Sequence, residues 1–343
     1  MASLITGSTA VSRSPEWASK GTSTVSKGGG YVFFSDNPEA VDSTDLVDAG
    51  KWLNKDTVSG AGFVYLWHHN TTGAPLKHAL LVYNPNNFAI KVTSSNHGIT
   101  NASGDSDSSA WLDYFSGTVT QAPVVINPTS FGVLFQQNIN TGNNFGIIAK
   151  TNVTNNSTSA AASASFYDVA WVNSYIGATG YAAKKSATMR RGKGPTYYNT
   201  ISLAAISPSD SVNGVAYQIC GSTDYPGVFG TDDLVYITDP AGVCSGLNHG
   251  SYGQQMAVTL KVKNTYSTAK NFKIYMGKTG PGFSFPLINM AGVSLSYKWK
   301  AGNTYVDMID TGSVPANSEV TVSFFLVIPA VSSTPFVIGA RMA

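Results

Sequence analysis

The sequence contains few charged residues. They make up 12% of its 343 residues, against about 25% in an average globular chain. The formal net charge is +2, so the chain as a whole lacks the basic surplus of a nucleic-acid-binding domain. Hydrophobic residues still reach 43% and aromatic residues 11%, more than a disordered chain contains. The composition therefore indicates a folded protein and gives no reason to expect a nucleic-acid partner.

Long hydrophobic runs are also absent from the sequence. No stretch approaches the roughly 18 consecutive apolar residues of a membrane-spanning helix, so no membrane span is expected. Residues 1–30 have neither the basic start nor the apolar segment of a secretory signal peptide, and we recognise none in this chain. Two routes stay open: derivation from a longer precursor, or delivery without a secretory signal.

Cysteine is nearly absent, with only Cys220 and Cys244. A chain of this length buries enough surface to need no disulfide scaffold. The two cysteines flank one turn-rich segment and could close a loop, which the chain-entropy model values at about 3 kcal/mol. They could equally stay reduced and never meet. No CxxC pair or histidine pair has zinc-ligand spacing, and we expect no metal and no other cofactor.

What the sequence does contain is a β pattern. From Tyr31 onward, short runs rich in β-branched and aromatic residues alternate with clusters of Gly, Pro and Asn, as in antiparallel sandwiches and jelly rolls. Apolar and polar residues alternate in 258–262 and 320–324, so each strand should bury one face. Short helices are expected only around 38–53 and 108–116. The predicted fold class is all-β.

The chain also repeats itself weakly. Residues 87–92 (NFAIKV) resemble residues 271–276 (NFKIYM), and a longer strand precedes each motif. A further strand pair follows in each copy, introduced by residues 125–128 and by residues 313–316. The order of these parts predicts two related antiparallel β-sandwich domains, jelly-roll-like and in tandem.

The expected domain boundaries follow from this repeat. Domain 1 is predicted at 31–185 and domain 2 at 186–343, with a basic, glycine-rich joint between them at 184–195. Residues 1–30 precede both domains as a polar Ser/Thr/Gly arm. This arm is expected either to be flexible or to link subunits.

Several short motifs carry a family resemblance: 33–39 (FFSDNPE), 69–70 (HN), 191–195 (RGKGP) and 248–253 (NHGSYG). Together they resemble a family of extracellular two-sandwich proteins of spore-forming Gram-positive bacteria. Members of that family often occur beside copper amine oxidase-like stalk domains. The resemblance spans most of 31–343 and implies an extracellular or cell- or spore-surface location. No catalytic residues are attached to the family, so the resemblance implies none here.

Catalytic constellations are not apparent in the sequence. His68 and His69 are neighbours, and adjacent strand residues point to opposite faces, so they should not chelate one metal. The other three histidines are scattered: His78, His97 and His249. We expect all five to be ordinary surface or half-buried residues. Asp105 and Asp107 could offer oxygens to calcium, but without the 12-residue loop pattern a solvated loop is favoured. No phosphate loop or nucleophile elbow is present, and no enzyme is expected.

One basic cluster interrupts the low charge: Lys184, Lys185, Arg190, Arg191 and Lys193. A solvated linker is one interpretation, and a subunit contact that meets acidic loops is another. An acidic polymer such as wall teichoic acid is a third. Nucleic acid is the least favoured because the whole chain is near neutral.

Low charge and a nearly continuous strand pattern favour a rigid module that packs against copies of itself. Sandwich edges are templates for strand pairing, and the arm could dock on an edge of another copy through Leu4, Ile5, Val11 and Val25. Such contacts give a filament when open and a ring when closed. The sequence predicts a non-enzymatic structural subunit of an extracellular or spore-surface assembly.

The alternative is a carbohydrate- or surface-binding adhesin module, including a phage tail or virion protein. Cell-wall or surface glycan would then be the partner. Aromatic side chains in loop-like stretches would contact the sugar rings, and the candidates are Trp111, Tyr114, Tyr197 and Tyr198.

Overall fold

The structure is a computed structural model of the chain. The described residues pack as two compact units. Sandwich 1 holds those between Gly29 and Tyr197. Sandwich 2 holds those of Met1–Gly28 together with those from Tyr198 to Ala343. The structure describes residues 1–8, 11–12, 23–36, 38–43, 51–104, 107–172, 183–184, 193–194, 198–208, 215–220, 252–278, 283–284, 286–297, 299–300, 304–330, 332 and 336–343.

Strands make up nearly all of the described structure, which confirms the all-β fold class. In chain order the elements are β1 (Ser3–Leu4), β2 (Val11–Ser12), β3 (Ser23–Gly28), β4 (Tyr31–Ser35), β5 (Ala40–Val41), β6 (Lys51–Trp52), β7 (Asn54–Asn70), β8 (Leu76–Tyr83), β9 (Ile90–Ala102), α1 (Asp107–Ser116), β10 (Gln121–Ile126), β11 (Phe131–Ile139), β12 (Asn144–Asn155), β13 (Ser163–Trp171), β14 (Ala183–Lys184), β15 (Lys193–Gly194), β16 (Tyr198–Ile206), β17 (Val215–Cys220), β18 (Gln255–Lys263), β19 (Lys270–Lys278), β20 (Phe283–Ser284), β21 (Leu287–Met290), β22 (Val293–Ser296), β23 (Trp299–Lys300), β24 (Thr304–Val314), β25 (Glu319–Val327) and β26 (Phe336–Met342).

The two sheets of sandwich 1 share one long strand, β7, which runs for 17 residues. Residues 54–59 pair with β13, and residues 60–69 pair with β12. The strand changes sheet at Gly60, whose φ of 66° lies in the left-handed region that favours glycine. The order of one sheet is β10-β9-β12-β7, with β4 and β5 parallel to β7, and the order of the other is β7-β13-β8-β11.

The core of sandwich 1 lies between these two sheets. Alternate residues of each strand point inward and form an apolar cluster that both sheets supply. Phe166 of β13 is fully buried, and its ring centre lies 6.2 Å from that of Tyr31 and 5.8 Å from that of Phe33, in edge contacts. Removing this apolar surface from water is the main term that holds the two sheets together.

Helix α1 covers the outer face of the first sheet. Trp111 stacks on Phe63 with ring centres 5.7 Å apart. The helix comes so close to β9 that a Cβ at Gly98 would collide with the Ala110 carbonyl, so glycine is required there. This helix matches the expectation around 108–116. The helix expected around 38–53 is wrong for its described residues, which form β5 and β6, because β5 pairs with β7.

Sandwich 2 also consists of two sheets. Their orders are β1-β24-β19-β26-β17, with β2 beside β24, and β22-β21-β25-β18-β16-β3. The alternation in β18 places Val258, Leu260 and Val262 in the core at 1%, 0% and 0% exposure. Their polar neighbours face outward, as the sequence pattern predicts.

The division of the chain differs from the expected boundaries. The expected arm at 1–30 is not a separate segment where it is described, because β1 and β2 pair with β24, and β3 pairs with β16. Among the described residues, sandwich 1 includes β15, beyond the expected boundary at residue 185, because β15 pairs with β4. These strand pairings join residues far apart along the chain, so neither the internal repeat nor the basic, glycine-rich composition of 184–195 could predict them.

The internal repeat is visible in the strand pairing. In sandwich 1, β8 pairs with β11 and β9 with β10. In sandwich 2, β18 pairs with β25 and β19 with β24. The same four strands therefore follow in the same order and pair in the same way in both units.

One buried asparagine marks the same point in each copy. The Asn84 side chain donates from Nδ2 to the carbonyls of Phe88 (2.8 Å) and Ile126 (3.0 Å). Asn264 donates from Nδ2 to the carbonyls of Thr268 and Val314, both at 2.9 Å. Each side chain thus ties the turn after the longer strand to the segment that introduces the last strand pair.

Replacement of Asn84 by alanine should lower the free energy of unfolding of sandwich 1 by about 3 kcal/mol, because each buried carbonyl left without a donor costs about 1–3 kcal/mol. Asn264→Ala should act equally on sandwich 2. Exposed Asn152 is the control, and its alanine variant should stay within about 0.5 kcal/mol of wild type. Denaturant unfolding measures all three. Equal stability of all three variants would contradict the structural role of the repeat.

Candidate functional site

Three polar side chains meet inside sandwich 1. His68 projects from β7 in one sheet, and His78 and Asp168 project from β8 and β13 in the facing sheet. All three are 0% exposed. His68 Nε2 lies 2.8 Å from Asp168 Oδ2, and His78 Nε2 lies 2.7 Å from Asp168 Oδ1. One carboxylate therefore joins two imidazoles across the sandwich interior.

The local sequence explains why these side chains point inward. In β7, His68 continues the inward row of Val64 and Leu66, and in β13, Asp168 continues the inward row of Phe166. Each polar residue therefore occupies a core position in a run that is otherwise apolar. Phe145 packs beside them, with its ring centre 5.3 Å from that of His68 and 4.8 Å from that of His78.

The remaining ring nitrogens have different partners. His68 Nδ1 lies 2.6 Å from the Pro38 carbonyl oxygen. His78 Nδ1 lies 3.2 Å from Gln137 Nε2, and the same amide group donates to the Gly146 carbonyl at 3.2 Å. The carbonyl of Gly146 fixes the orientation of the Gln137 amide, because only its nitrogen can donate to that oxygen.

These partners determine the protonation states. The shortest contacts of His68 are to oxygens that only accept, the Pro38 carbonyl at Nδ1 and the Asp168 carboxylate at Nε2, so both nitrogens carry hydrogen and the ring is an imidazolium. Nδ1 of His78 faces a donor, so it accepts, and this ring is neutral with its proton on Nε2. With an ionised Asp168, the network holds one positive and one negative charge, and its net charge is zero.

The electrostatic balance agrees with this assignment. Burial acts to lower the pKa of His68, but the Asp168 charge and hydrogen bond, the Pro38 carbonyl and the Asp36 charge together raise this pKa above its ordinary value. Burial acts to raise the pKa of Asp168, but the positive charge of His68 and the hydrogen bonds from both histidines outweigh burial and hold this pKa well below its ordinary range.

The geometry does not match nucleophilic catalysis. Ser35 Oγ lies 3.3 Å from His68 Nε2, but this nitrogen also faces Asp168. In a catalytic triad the serine and the carboxylate bind opposite nitrogens of the ring. Ser35 is also 0% exposed, so substrate would not reach its hydroxyl. The network is therefore a structural link between two sheets.

No metal site emerges in the part of the chain that the structure describes, where no three His, Cys, Asp or Glu side chains could together hold a metal ion. His69 points away from His68, as strand alternation requires, and its Nδ1 lies 2.8 Å from Asn144 Oδ1. The expectation of ordinary surface or half-buried histidines is wrong for His68, His78 and His97, which are all buried. Asp168 was not predicted as a site residue, although a lone carboxylate in the otherwise uncharged strand SASFYDVAW was a signal that could have identified it.

The candidate aromatic and acidic residues lie in different surroundings from those expected. Trp111 and Tyr114 belong to α1 and are 0% and 5% exposed, so the expectation that they meet glycan in a loop is wrong. Asp107 is 1% exposed and accepts a hydrogen bond from the Tyr65 hydroxyl at 3.1 Å, so a solvated loop is wrong for this residue. Asp105, Tyr197 and the Tyr198 side chain lie outside the described residues.

The candidate contact residues are described only in part. Leu4, Ile5 and Val25 are half-buried, and Val11 is described only as part of β2. Lys184 and Lys193 stand in β14 and β15, with their side chains outside the description. The same holds for the side chain of Cys220, at the end of β17. Wholly outside the described residues are His249, Lys185, Arg190, Arg191 and Cys244.

Comparisons with known proteins show little similarity. No family model and no curated protein matches the sequence. Among solved structures, the CBM22-1-CBM22-2 tandem domain of Paenibacillus barcinonensis Xyn10C is 8% identical, with 93% of this chain and 99% of that chain covered and a TM-score of 0.17. The PBSX exported protein XepA is 8% identical, with 100% and 86% covered and a TM-score of 0.14. These scores are too low to carry an argument about function.

No helix among the described residues is long and apolar enough to cross a membrane.

The Asp168→Asn variant should lower the free energy of unfolding of sandwich 1 by about 3–5 kcal/mol, because it leaves a buried imidazolium without its counter-charge. Exposed Asp113 provides the control, and Asp113→Asn should change stability by less than about 0.5 kcal/mol. Chemical unfolding followed by tryptophan fluorescence measures the difference. Equal stabilities of the two variants would refute the ion pair.

The network should also make the stability of sandwich 1 depend on pH. Because folding raises the pKa of His68, its contribution is complete below the ordinary value of 6.5 and is lost as the pH rises through the folded value. Because folding lowers the pKa of Asp168, its contribution is present above the ordinary value of 3.8 and is lost only as the pH falls through the folded value. We therefore expect the free energy of unfolding to fall between mildly acidic and alkaline pH.

Measurement of the unfolding free energy from about pH 5 to about pH 9 tests this expectation. The His68→Gln variant should lose the decline, that is, the decrease in unfolding free energy towards alkaline pH, because it lacks the imidazole that titrates. His97 is the control with the opposite sign. Burial lowers the pKa of His97 despite the Asp113 charge, so its contribution is lost as the pH falls. His97→Gln should therefore leave the alkaline decline intact. An unchanged decline in His68→Gln would show that another group causes it.

Proposed function

We propose that the protein is a non-enzymatic structural subunit of an extracellular or cell- or spore-surface assembly, built by self-association of its β-sandwiches. One observation carries this proposal. The first 28 residues supply edge strands to both sheets of sandwich 2, with β1 and β2 beside β24 and β3 beside β16. Strand addition at a sheet edge is a common basis of association between chains.

The low charge of the chain supports the same proposal. With charged residues at 12% and a net charge of +2, copies of the chain repel one another weakly. The family resemblance on 33–39, 191–195 and 248–253 supports an extracellular place. The buried His68–Asp168 pair supports a non-enzymatic role, because it links two sheets and both side chains are 0% exposed.

A carbohydrate- or surface-binding adhesin, including a virion protein, is the alternative. It depends on exposed aromatic side chains, and burial of Trp111 and Tyr114 removes two of its candidates. Binding of the monomeric protein to a glycan array would favour this alternative over self-assembly.

Negative-stain electron microscopy of the full-length protein over a range of concentrations tests the proposal. Regular filaments, layers or rings are expected. They should persist in about 1 M salt, because backbone pairing is screened far less than ion pairs between exposed charges. Disassembly in salt would instead indicate a contact through the basic cluster, represented by Lys184 and Lys193. Dispersed single particles at every concentration would refute self-association.

A further inference from the structure

One edge of each sheet of sandwich 2 is covered by strands from the N-terminal stretch of the chain. In sheet order β3 is the last strand beside β16, and β1 is the last strand beside β24. Without these strands, β16 and β24 would present a row of unpaired backbone groups, which is a template for pairing with another chain. The described strands of the N-terminal segment (residues 1–28) therefore occupy two docking edges at once.

The N-terminal segment is held mainly by its backbone. β3 forms an antiparallel ladder with β16 from Ser23↔Leu203 to Gly28↔Tyr198. Its side chains add little burial: Val25 is half-buried opposite the fully buried Ile201, while Thr24 is exposed. Among the described residues of this segment, no side chain reaches full burial. Backbone ladders of this kind are the same whichever copy supplies the strand.

A second contact fixes the start of the segment. The Ile5 amide donates to the Met308 carbonyl at 2.8 Å. The buried Tyr297 hydroxyl donates to the Ile5 carbonyl at 3.0 Å. Both contacts again use backbone atoms of the N-terminal segment, so they need no particular chain connection.

Glycines connect the segment to the rest of the chain. Gly29 and Gly30 follow β3 directly and have φ values of 89° and 87°. Glycine enters and leaves this left-handed region with little steric cost. The path of the chain after β3 is therefore set by two glycines, which can also adopt other backbone conformations.

We propose that in the assembled protein these two edges hold residues 1–28 of a second copy of this chain. The inference rests on the proposed function and names its partner and its contact. An exchanged segment makes the same hydrogen bonds as its own copy would, so exchange sacrifices no contact. Donation from each copy to the next leaves one free segment and one free pair of edges, which extends a filament or closes a ring.

Cysteine pairs across the ladder test the exchange. Thr24 and Ser202 are register partners and both are exposed. Thr24→Cys and Ser202→Cys are made in separate full-length chains that carry Cys220→Ser and Cys244→Ser. The two chains, of different tag length, are unfolded together, refolded as a mixture and oxidised. We expect a covalent heterodimer, seen on a non-reducing gel, whose yield rises with protein concentration.

The matched control replaces the acceptor cysteine by Ser323→Cys. Ser323 lies in the same cross-strand row but three strands from Thr24, about 14 Å away, beyond the roughly 7 Å limit of a disulfide. It should give no heterodimer. The double variant with Thr24→Cys and Ser202→Cys in one chain shows that the pair can oxidise. A double variant that oxidises within one chain, with no heterodimer from the mixture, would overturn the exchange.

A second pair of variants keeps the native cysteines. Val25→Pro removes a backbone amide from the middle of β3 and fixes φ at about −65°, far from the roughly −140° of an antiparallel strand, whereas Val25→Thr keeps the amide and the β-branched shape. Under the electron microscope, Val25→Thr should assemble as wild type and Val25→Pro should not. Assembly of both variants would overturn the exchange and leave self-association standing. Wild type that never assembles would refute the proposed function, and the heterodimer would still decide whether strands exchange.

Discussion

The N–H and C=O groups of an outermost strand point away from their own sheet and need either water or another strand. Charged side chains often protect such edges, but only 12% of this sequence is charged. The described structure handles the edges in other ways. In sandwich 1, β10 contains Pro123, and a register shift interrupts its pairing with β9. In sandwich 2, the N-terminal strands cover β24 and β16.

The His68–Asp168 pair acts between the sheets rather than at their edges. Taking two charges out of water is expensive, and a buried pair returns that cost only with good geometry and satisfied partners. Here the Pro38 carbonyl and the second imidazole, His78, complete the hydrogen bonds. The benefit is specificity: a shift of either sheet by one residue would leave a buried charge facing apolar side chains.

Much of the fold could be predicted from the sequence because local patterns encode it. The alternation around Leu260 gives a strand with one buried face, and the repeat near Asn84 and Asn264 gives two related units. Docking of the N-terminal arm on a sheet edge was predicted, but the strands that receive it, β24 and β16, could not be predicted, because they lie far along the chain. The histidine network was missed for the same reason, since His68 and Asp168 are separated by 100 residues and meet only across the sandwich.

Because the two sandwiches share the same strand pairing, their equivalent edge strands can be compared directly. A difference between such strands reflects their sequences rather than the fold. β10 and β24 are equivalent strands, since each pairs with the strand that follows the buried asparagine. β10 contains Pro123, which has no amide to donate, and it ends its sheet in the described structure. β24 contains no proline and receives β1 and β2. Edge chemistry therefore determines which of two equivalent strands accepts a further strand, and the N-terminal segment docks where its backbone can be paired.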